Sequence, residues 1–134
     1  MKKMMAYFLF MVSMLNSAAT FANNPDNVEH AVAGHTFEWH WEQGAFKGAA
    51  FQVSFLQDGQ LQWQGIAGGV VGKHDSEKQY QSTVISKDIQ MISWLEKSGY
   101  AVTIILNFSN GSCQGIVSNT NEWYPLSGKF KQTN

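Results

Sequence analysis

Apolar and polar residues alternate along most of the chain after residue 34, which is the pattern of a β-strand with one buried face. Phe37, Trp39 and Trp41 share one parity, and Glu38 and His40 lie between them. We find no stretch with a convincing helical period. The alternation predicts eight strands, at residues 35–41, 49–56, 60–66, 78–85, 89–96, 100–108, 112–118 and 124–131.

Turn signals separate these strands. Asp58-Gly59 and Asn110-Gly111 are typical of tight β-hairpin turns. The glycine-rich segment 65–73 lacks the Gly-Lys-Ser/Thr ending of a phosphate-binding loop, so we interpret it as a bend where backbones pass closely. Short strands without helical crossovers predict an all-β fold, an antiparallel up-and-down barrel of about eight strands. Such a barrel has room inside for side chains or one small ligand.

The first part of the chain has a different pattern. Lys2 and Lys3 precede an apolar run at residues 4–15, and small residues follow up to Ala22. This order is typical of a signal peptide, and the run is shorter than the ~18–20 residues that span a bilayer. We therefore expect a signal peptide at residues 1–22, a flexible lead-in at 23–33 and one domain at 34–131. The expected location is periplasmic or secreted, in a bacterium, with no membrane attachment after cleavage.

The composition excludes several classes of function. The chain contains no Arg, and the part after residue 22 has seven Lys against ten acidic residues, a formal charge near −3. Because Arg is the usual side chain for phosphates and base edges, we expect no nucleic-acid partner. Cys113 has no second cysteine to pair with, so we expect a buried thiol, with a reactive or dimer-linking thiol as the alternative. The four His are not spaced as metal ligands, so neither a metal nor a cofactor is expected, and a homodimer is left open.

One carboxylate and several tryptophans indicate an internal pocket. Glu96 has the strand parity of Ile92 and Trp94, so it shares their face. A carboxylate on an apolar wall has a raised pKa unless a cation lies near, and Lys73 is the candidate cation. The alternative is a face open to solvent, with Glu96 as a rim residue. Four tryptophans on neighbouring strands could form the wall: Trp39, Trp41, Trp63 and Trp94.

Three segments in this order resemble the MoaF-like proteins and the related bacterial phenolic acid decarboxylases. They are residues 34–44, 67–73 and 92–99. The third is the most specific, because it contains the whole block Ile92-Ser93-Trp94-x-Glu96-x-x-Gly99. The resemblance extends from about Ala33 to Phe130 and implies a lipocalin-like (calycin) barrel.

The resemblance also implies a set of pocket residues. In the decarboxylases a Glu, a Tyr pair and an Arg line the pocket for a hydroxycinnamic acid. Here Glu96 stands at the Glu position, Trp39 and Trp41 stand at the Tyr positions, and Lys73 stands at the Arg position. An indole only donates a hydrogen bond, and Lys binds a carboxylate as a point charge rather than as a fork. The resemblance therefore supports a similar pocket more strongly than it supports the decarboxylation reaction.

The sequence thus predicts a periplasmic, MoaF-like, lipocalin-type barrel that binds a small aromatic or amphipathic ligand in its interior. The predicted ligand-binding residues are Trp39, Trp41, Lys73, Trp94 and Glu96. A first alternative is a decarboxylase-like lyase, in which Glu96 would be the catalytic general acid and base. A second alternative is a non-catalytic interaction module, which would have an exposed Trp94 and no enclosed cavity.

Overall fold

The structure is a computed structural model that describes residues 32–134. The predicted signal peptide and nearly all of the predicted lead-in lie outside the described residues. Within them there are nine strands, one 3-10 helix at Gly68–Val70 and no α-helix. The strands are β1 Thr36–Gly44, β2 Ala50–Phe55, β3 Leu61–Ala67, β4 His74–Glu77, β5 Tyr80–Ser86, β6 Ile89–Leu95, β7 Ala101–Asn107, β8 Ser112–Ser118 and β9 Trp123–Gln132.

All nine strands form one antiparallel sheet in the order β4-β3-β2-β1-β9-β8-β7-β6-β5. Almost every strand therefore pairs with its neighbour in the chain, and β1 pairs with β9 to join the two halves. The predicted all-β, antiparallel up-and-down class is confirmed. Eight predicted strands match observed strands to within three residues at each end.

The ninth strand, β4, explains how the sheet curls. β4 and β5 are the two edges of the sheet, yet only Lys78 and Gln79 separate them in the chain. Eight antiparallel steps across the sheet lie between them, so both run in the same direction. They act as one long strand whose first half pairs with β3 and whose second half pairs with β6. This shared strand brings the two edges together as a barrel requires.

Lys97, in the turn between β6 and β7, connects that turn to the β4 edge. The Lys97 backbone N–H donates to Glu77 Oε2 at 3.1 Å, and Lys97 Nζ lies 3.0 Å from Asp75 Oδ1. The Glu77 side chain is buried although it is a carboxylate. Near the other end of this junction, the Tyr80 N–H donates to the Gly59 carbonyl at 2.9 Å. The two Lys97 contacts fix the turn that follows β6 against the β4 edge, and the Tyr80 bond fixes the start of β5 against the β2–β3 turn.

The two ends of the barrel are filled differently. At the end where β1 begins, the Phe37 ring packs against Phe55, Phe108 and Phe130 with centroids 6.0–6.2 Å apart. Cys113 is buried and free, and burial raises the pKa of its thiol to about 12. We call the opposite end the upper end. It carries the loops at residues 45–49, 68–73, 96–100 and 119–122.

The glycine-rich bend belongs to the upper end. A Cβ at Gly65 would overlap the Val70 carbonyl, and Gly68, with a φ of 73°, passes the Gly48 carbonyl. Only glycine fits both requirements without a shift of the backbone. The interpretation of this segment as a close passage of backbones is confirmed, and the bend positions Val70 and Lys73 beside the barrel mouth.

Candidate functional site

A cavity of about 410 Å³ occupies the upper half of the barrel. Residues of the upper loops, among them Phe46, Lys73 and Ser98, contribute to its lining. Most of its wall consists of inward-facing strand residues. The lining residues are Trp39, Trp41, Phe46, Phe51, Val53, Trp63, Val70, Lys73, Trp94, Glu96, Ser98, Tyr100, Val102, Ile104, Val117, Tyr124 and Leu126.

All five residues that the sequence predicted for the pocket line this one cavity. Trp39, Trp41 and Trp94 are 2%, 4% and 6% exposed. The Trp39 ring stacks on Trp94 with centroids 6.3 Å apart and lies 6.4 Å from Trp41. Trp94 is therefore a buried wall residue rather than the exposed one that the interaction-module alternative expects.

Lys73 lies at the mouth and is exposed. Its backbone N–H donates to the Val70 carbonyl at 3.0 Å, which fixes the end of the glycine bend. The ion pairs found within residues 32–134 do not include one between Lys73 and Glu96. The sequence correctly predicted that Lys73 and Glu96 line the same cavity, but the two side chains do not form an ion pair. Glu96 has a different hydrogen-bond partner.

That partner is Ser98, in the tight turn after β6. The Ser98 hydroxyl donates to Glu96 Oε2 at 2.9 Å, while the Glu96 and Tyr100 backbones are joined by a 2.8 Å hydrogen bond. Burial raises the pKa of the Glu96 carboxyl, and the negative charges of Glu77 and Asp75 raise it further. The Ser98 hydrogen bond and the nearby Trp94 indole oppose this rise only in part. The surroundings of Glu96 thus disfavour its ionised form relative to water.

This environment predicts that Glu96→Gln stabilises the folded domain at neutral pH. Because the pKa of Glu96 is raised in the folded state, the stability that this group contributes is fully present below about 4.5 and is lost as the pH rises through the folded pKa. A Gln has no such loss. Thermal unfolding should therefore show a higher midpoint for the variant near pH 7 and no difference near pH 4.

Glu42→Gln is the matched control, because Glu42 is exposed on β1. It should leave the midpoint unchanged at both pH values. An advantage of Glu96→Gln that is the same at both pH values would contradict the assigned cause.

Two indole N–H groups in the cavity wall stand out. Trp63 Nε1 and Trp94 Nε1 are both buried and have no hydrogen-bond partner. Buried polar groups normally have one, and a buried Trp in particular usually finds an acceptor for its N–H. The Trp94 indole lies close enough to Glu96 to favour the ionised carboxylate, but its N–H does not reach hydrogen-bond geometry. Within residues 32–134, the wall therefore has two buried donors without an acceptor.

The structure adds lining residues that were not assigned to the site from the sequence. The Tyr100 hydroxyl donates a hydrogen bond to Glu122 Oε2 at 3.2 Å. The Glu122 carboxylate raises the pKa of both Tyr100 and Tyr124. The position of Tyr100 could have been predicted from the sequence, because Tyr100 has the strand parity of the buried Val102. The position of Phe46 could not have been predicted in this way, because Phe46 lies in a loop. Its ring packs edge-on against Tyr124, with the ring centroids 6.2 Å apart.

The described part of the chain, residues 32–134, contains neither a cluster of metal-ligating side chains nor a membrane-spanning helix. No group of three or more His, Cys, Asp and Glu side chains in this part of the chain is arranged to hold a metal ion. No helix in the same part is long and apolar enough to cross a membrane.

Comparisons with known proteins agree with this architecture. The model of the MoaF-like family matches residues 33–131, which confirms the resemblance seen in the sequence. A solved structure from Burkholderia vietnamiensis, described as a candidate β-lactamase, superposes with a TM-score of 0.68 at 19% identity. The alignment covers 78% of this chain and 97% of that chain. At this identity the similarity shows the fold alone. No curated protein matches the chain.

Proposed function

Because the chain belongs to the MoaF-like family and encloses an aromatic cavity, we propose that it binds one small aromatic or amphipathic molecule inside the barrel. The observation that carries this proposal is the stack of Trp39 and Trp94 beside the half-buried Glu96. Small-molecule sites are typically concave, largely apolar, about 300–1,000 Å³ in volume, and contain a few polar groups that orient the ligand. The cavity volume of about 410 Å³ lies within that range.

Each part of the wall has a role in this proposal. The rings of Trp39, Trp41 and Trp94 would pack against an aromatic or aliphatic body of the ligand. Glu96 would accept a hydrogen bond from a hydroxyl or N–H of the ligand, which would relieve part of the cost of its burial. Lys73, exposed at the mouth, would meet any polar group that extends toward solvent.

We propose in addition that the mature protein acts in the periplasm or outside the cell. The support is the order of Lys2-Lys3, the apolar run and the small residues before Ala22. N-terminal sequencing of the protein recovered from the periplasm should begin close to Asn23. Recovery of the chain with an intact N-terminus in the cytoplasm would contradict this location.

Glu96→Gln tests the binding site. We expect the variant to bind 2-naphthol about tenfold more weakly than the wild type, because a charge-assisted hydrogen bond becomes a neutral one. Its affinity for 2-methylnaphthalene, which has no donor, should be unchanged. Calorimetric titration of both ligands with both proteins provides the four affinities. Unchanged naphthol affinity in the folded variant would contradict the role of Glu96.

One observation favours a second candidate function, a lyase that uses Glu96 as general acid and base. A carboxyl with a raised pKa in an aromatic cavity is typical of catalytic sites. Trp39 and Trp41, at the positions of the Tyr pair in the decarboxylases, cannot relay protons as phenols do. Release of carbon dioxide from a hydroxycinnamic acid, lost in Glu96→Gln, would establish this function. Absence of release from a protein that binds the acid would exclude that reaction.

A further inference from the structure

The unpartnered indole N–H groups of Trp63 and Trp94 indicate the chemical class of the ligand that the cavity binds. We infer that the ligand carries a neutral hydrogen-bond acceptor, such as a ketone or amide carbonyl, within reach of these two donors. This inference rests on the proposed function and specifies its ligand class.

The rings of both tryptophans are already packed, and only their N–H groups lack a partner. Trp63, on β3, contacts Phe51 edge-on with centroids 5.9 Å apart. Trp94, on β6, stacks on Trp39 and contacts Phe55 at 6.4 Å. Both side chains line the cavity, and both nitrogen atoms are buried. The unsatisfied part of each side chain is therefore its single donor.

An acceptor in the ligand follows from the free energy of those donors. Without ligand, water that enters through the mouth can accept from them. A ligand that displaces this water without an acceptor of its own leaves buried N–H groups unpaired, which costs affinity. Sites built around a hydrogen bond discriminate strongly against ligands that cannot make it. An aromatic ligand with an acceptor should thus be preferred over one of the same shape without it.

The charges around the cavity favour a neutral acceptor. Glu96 lies near the Trp94 indole, and Glu77 and Asp75 add negative charge from the β4 edge. Among the described residues 32–134, Lys73 is the one cationic residue of the lining, and it is exposed. A carboxylate bound beside Trp94 would be repelled by Glu96 without a cation at that depth. A carbonyl accepts from an indole N–H without this repulsion.

Three naphthalene derivatives test the inference on the wild-type protein. 2-Acetylnaphthalene has a neutral acceptor, 2-isopropenylnaphthalene has nearly the same shape without one, and 2-naphthoate has an anionic one. Calorimetric titration near pH 8, where the acid is ionised, should show the ketone binding about tenfold or more tightly than the alkene. The ketone should also bind more tightly than the naphthoate.

Trp94→Phe and Trp63→Phe keep an aromatic ring and remove one donor each. Each variant should reduce the ratio of ketone to alkene affinity toward one, chiefly through weaker ketone binding. Trp41→Phe is the matched control. Trp41 lines the same cavity, but its N–H is not one of the two buried unpartnered groups, so the ratio should persist. If Trp94→Phe does not fold, Trp63→Phe, which changes a less buried ring, provides the same comparison.

The outcomes separate this inference from the proposed function. Equal binding of ketone and alkene, or a ratio that both variants retain, would overturn the inference and leave ligand binding intact. Tightest binding of the naphthoate would overturn the neutral acceptor. Failure of all three compounds to bind the folded protein would overturn the inference together with the proposed aromatic site.

Discussion

Trp39→Ala is expected to lower the free energy of unfolding by about 3–5 kcal/mol, the range for removal of a large buried aromatic side chain. Trp39 is 2% exposed, and its ring contacts Trp41, Phe55 and Trp94 at centroid distances of 6.3–6.5 Å. It lies on β1, which pairs with β2 on one side and with β9 on the other. Removal of the ring would therefore enlarge the cavity, because β1 lies between two paired strands and cannot move inward as an edge strand could.

Trp123→Ala is the matched control for this stability measurement. Trp123 is 67% exposed at the start of β9, so its loss should change the free energy of unfolding by no more than about 0.5 kcal/mol. Urea unfolding, followed by far-ultraviolet circular dichroism, measures both variants against the wild type. A loss below about 1 kcal/mol in Trp39→Ala would contradict the central position that we assign to this ring.

Val117→Trp is expected to weaken ligand binding on the order of 100-fold, because a bulky ring in a preformed site costs about 1–3 kcal/mol when it overlaps the ligand. Val117 lies on β8, faces the cavity and pairs with Val102 and Tyr124 on the adjacent strands. The cavity provides space for the new ring, so the domain should still fold. Calorimetric titration with 2-acetylnaphthalene measures the effect.

The neighbouring residue provides the control. Ile116 is next in the same strand, faces outward and is 46% exposed. Ile116→Trp places the same indole ring outside the barrel, so the affinity should remain that of the wild type. Equal loss of affinity in both variants would indicate a general effect on the sheet, and unchanged affinity in Val117→Trp would place the ligand outside this cavity.

Strand parity predicted the fold and the membership of the cavity wall well. Trp39, Trp41 and Trp94 have the parity of neighbouring buried residues, and antiparallel pairing brings inward-facing residues of adjacent strands side by side. The face of a side chain depends only on its position in the strand, which the sequence displays. The same alternation placed Glu96 on the inner face, although β6 ends one residue earlier.

The missed strand β4 shows where this signal ends. His74, Asp75 and Ser76 are all exposed, so the segment has no buried alternation that could reveal it. Only the pairing with β3 makes it a strand. The one buried residue, Glu77, is a carboxylate whose partner is a backbone N–H twenty residues later, a contact that no local pattern contains.

Depth and direct contact could not be predicted either. Parity and the glycine bend placed Lys73 and Glu96 at the same cavity, but the distance between them depends on the twist and curl of the whole sheet. Similarly, the sequence shows that Trp63 and Trp94 carry donors, but whether an acceptor reaches each N–H depends on side-chain rotamers and on neighbours distant in the chain.

Intrinsic fluorescence of the Trp123→Phe variant tests ligand binding in the barrel most directly. Of the five tryptophans only Trp123 lies outside the cavity wall, so in this variant all tryptophan emission comes from residues that line the cavity. Titration with aromatic acids and neutral aryl ketones should produce a saturable change in emission that Val117→Trp, in the same background, largely loses. A flat response to every compound by the folded variant would contradict the proposal that this barrel binds a small aromatic ligand.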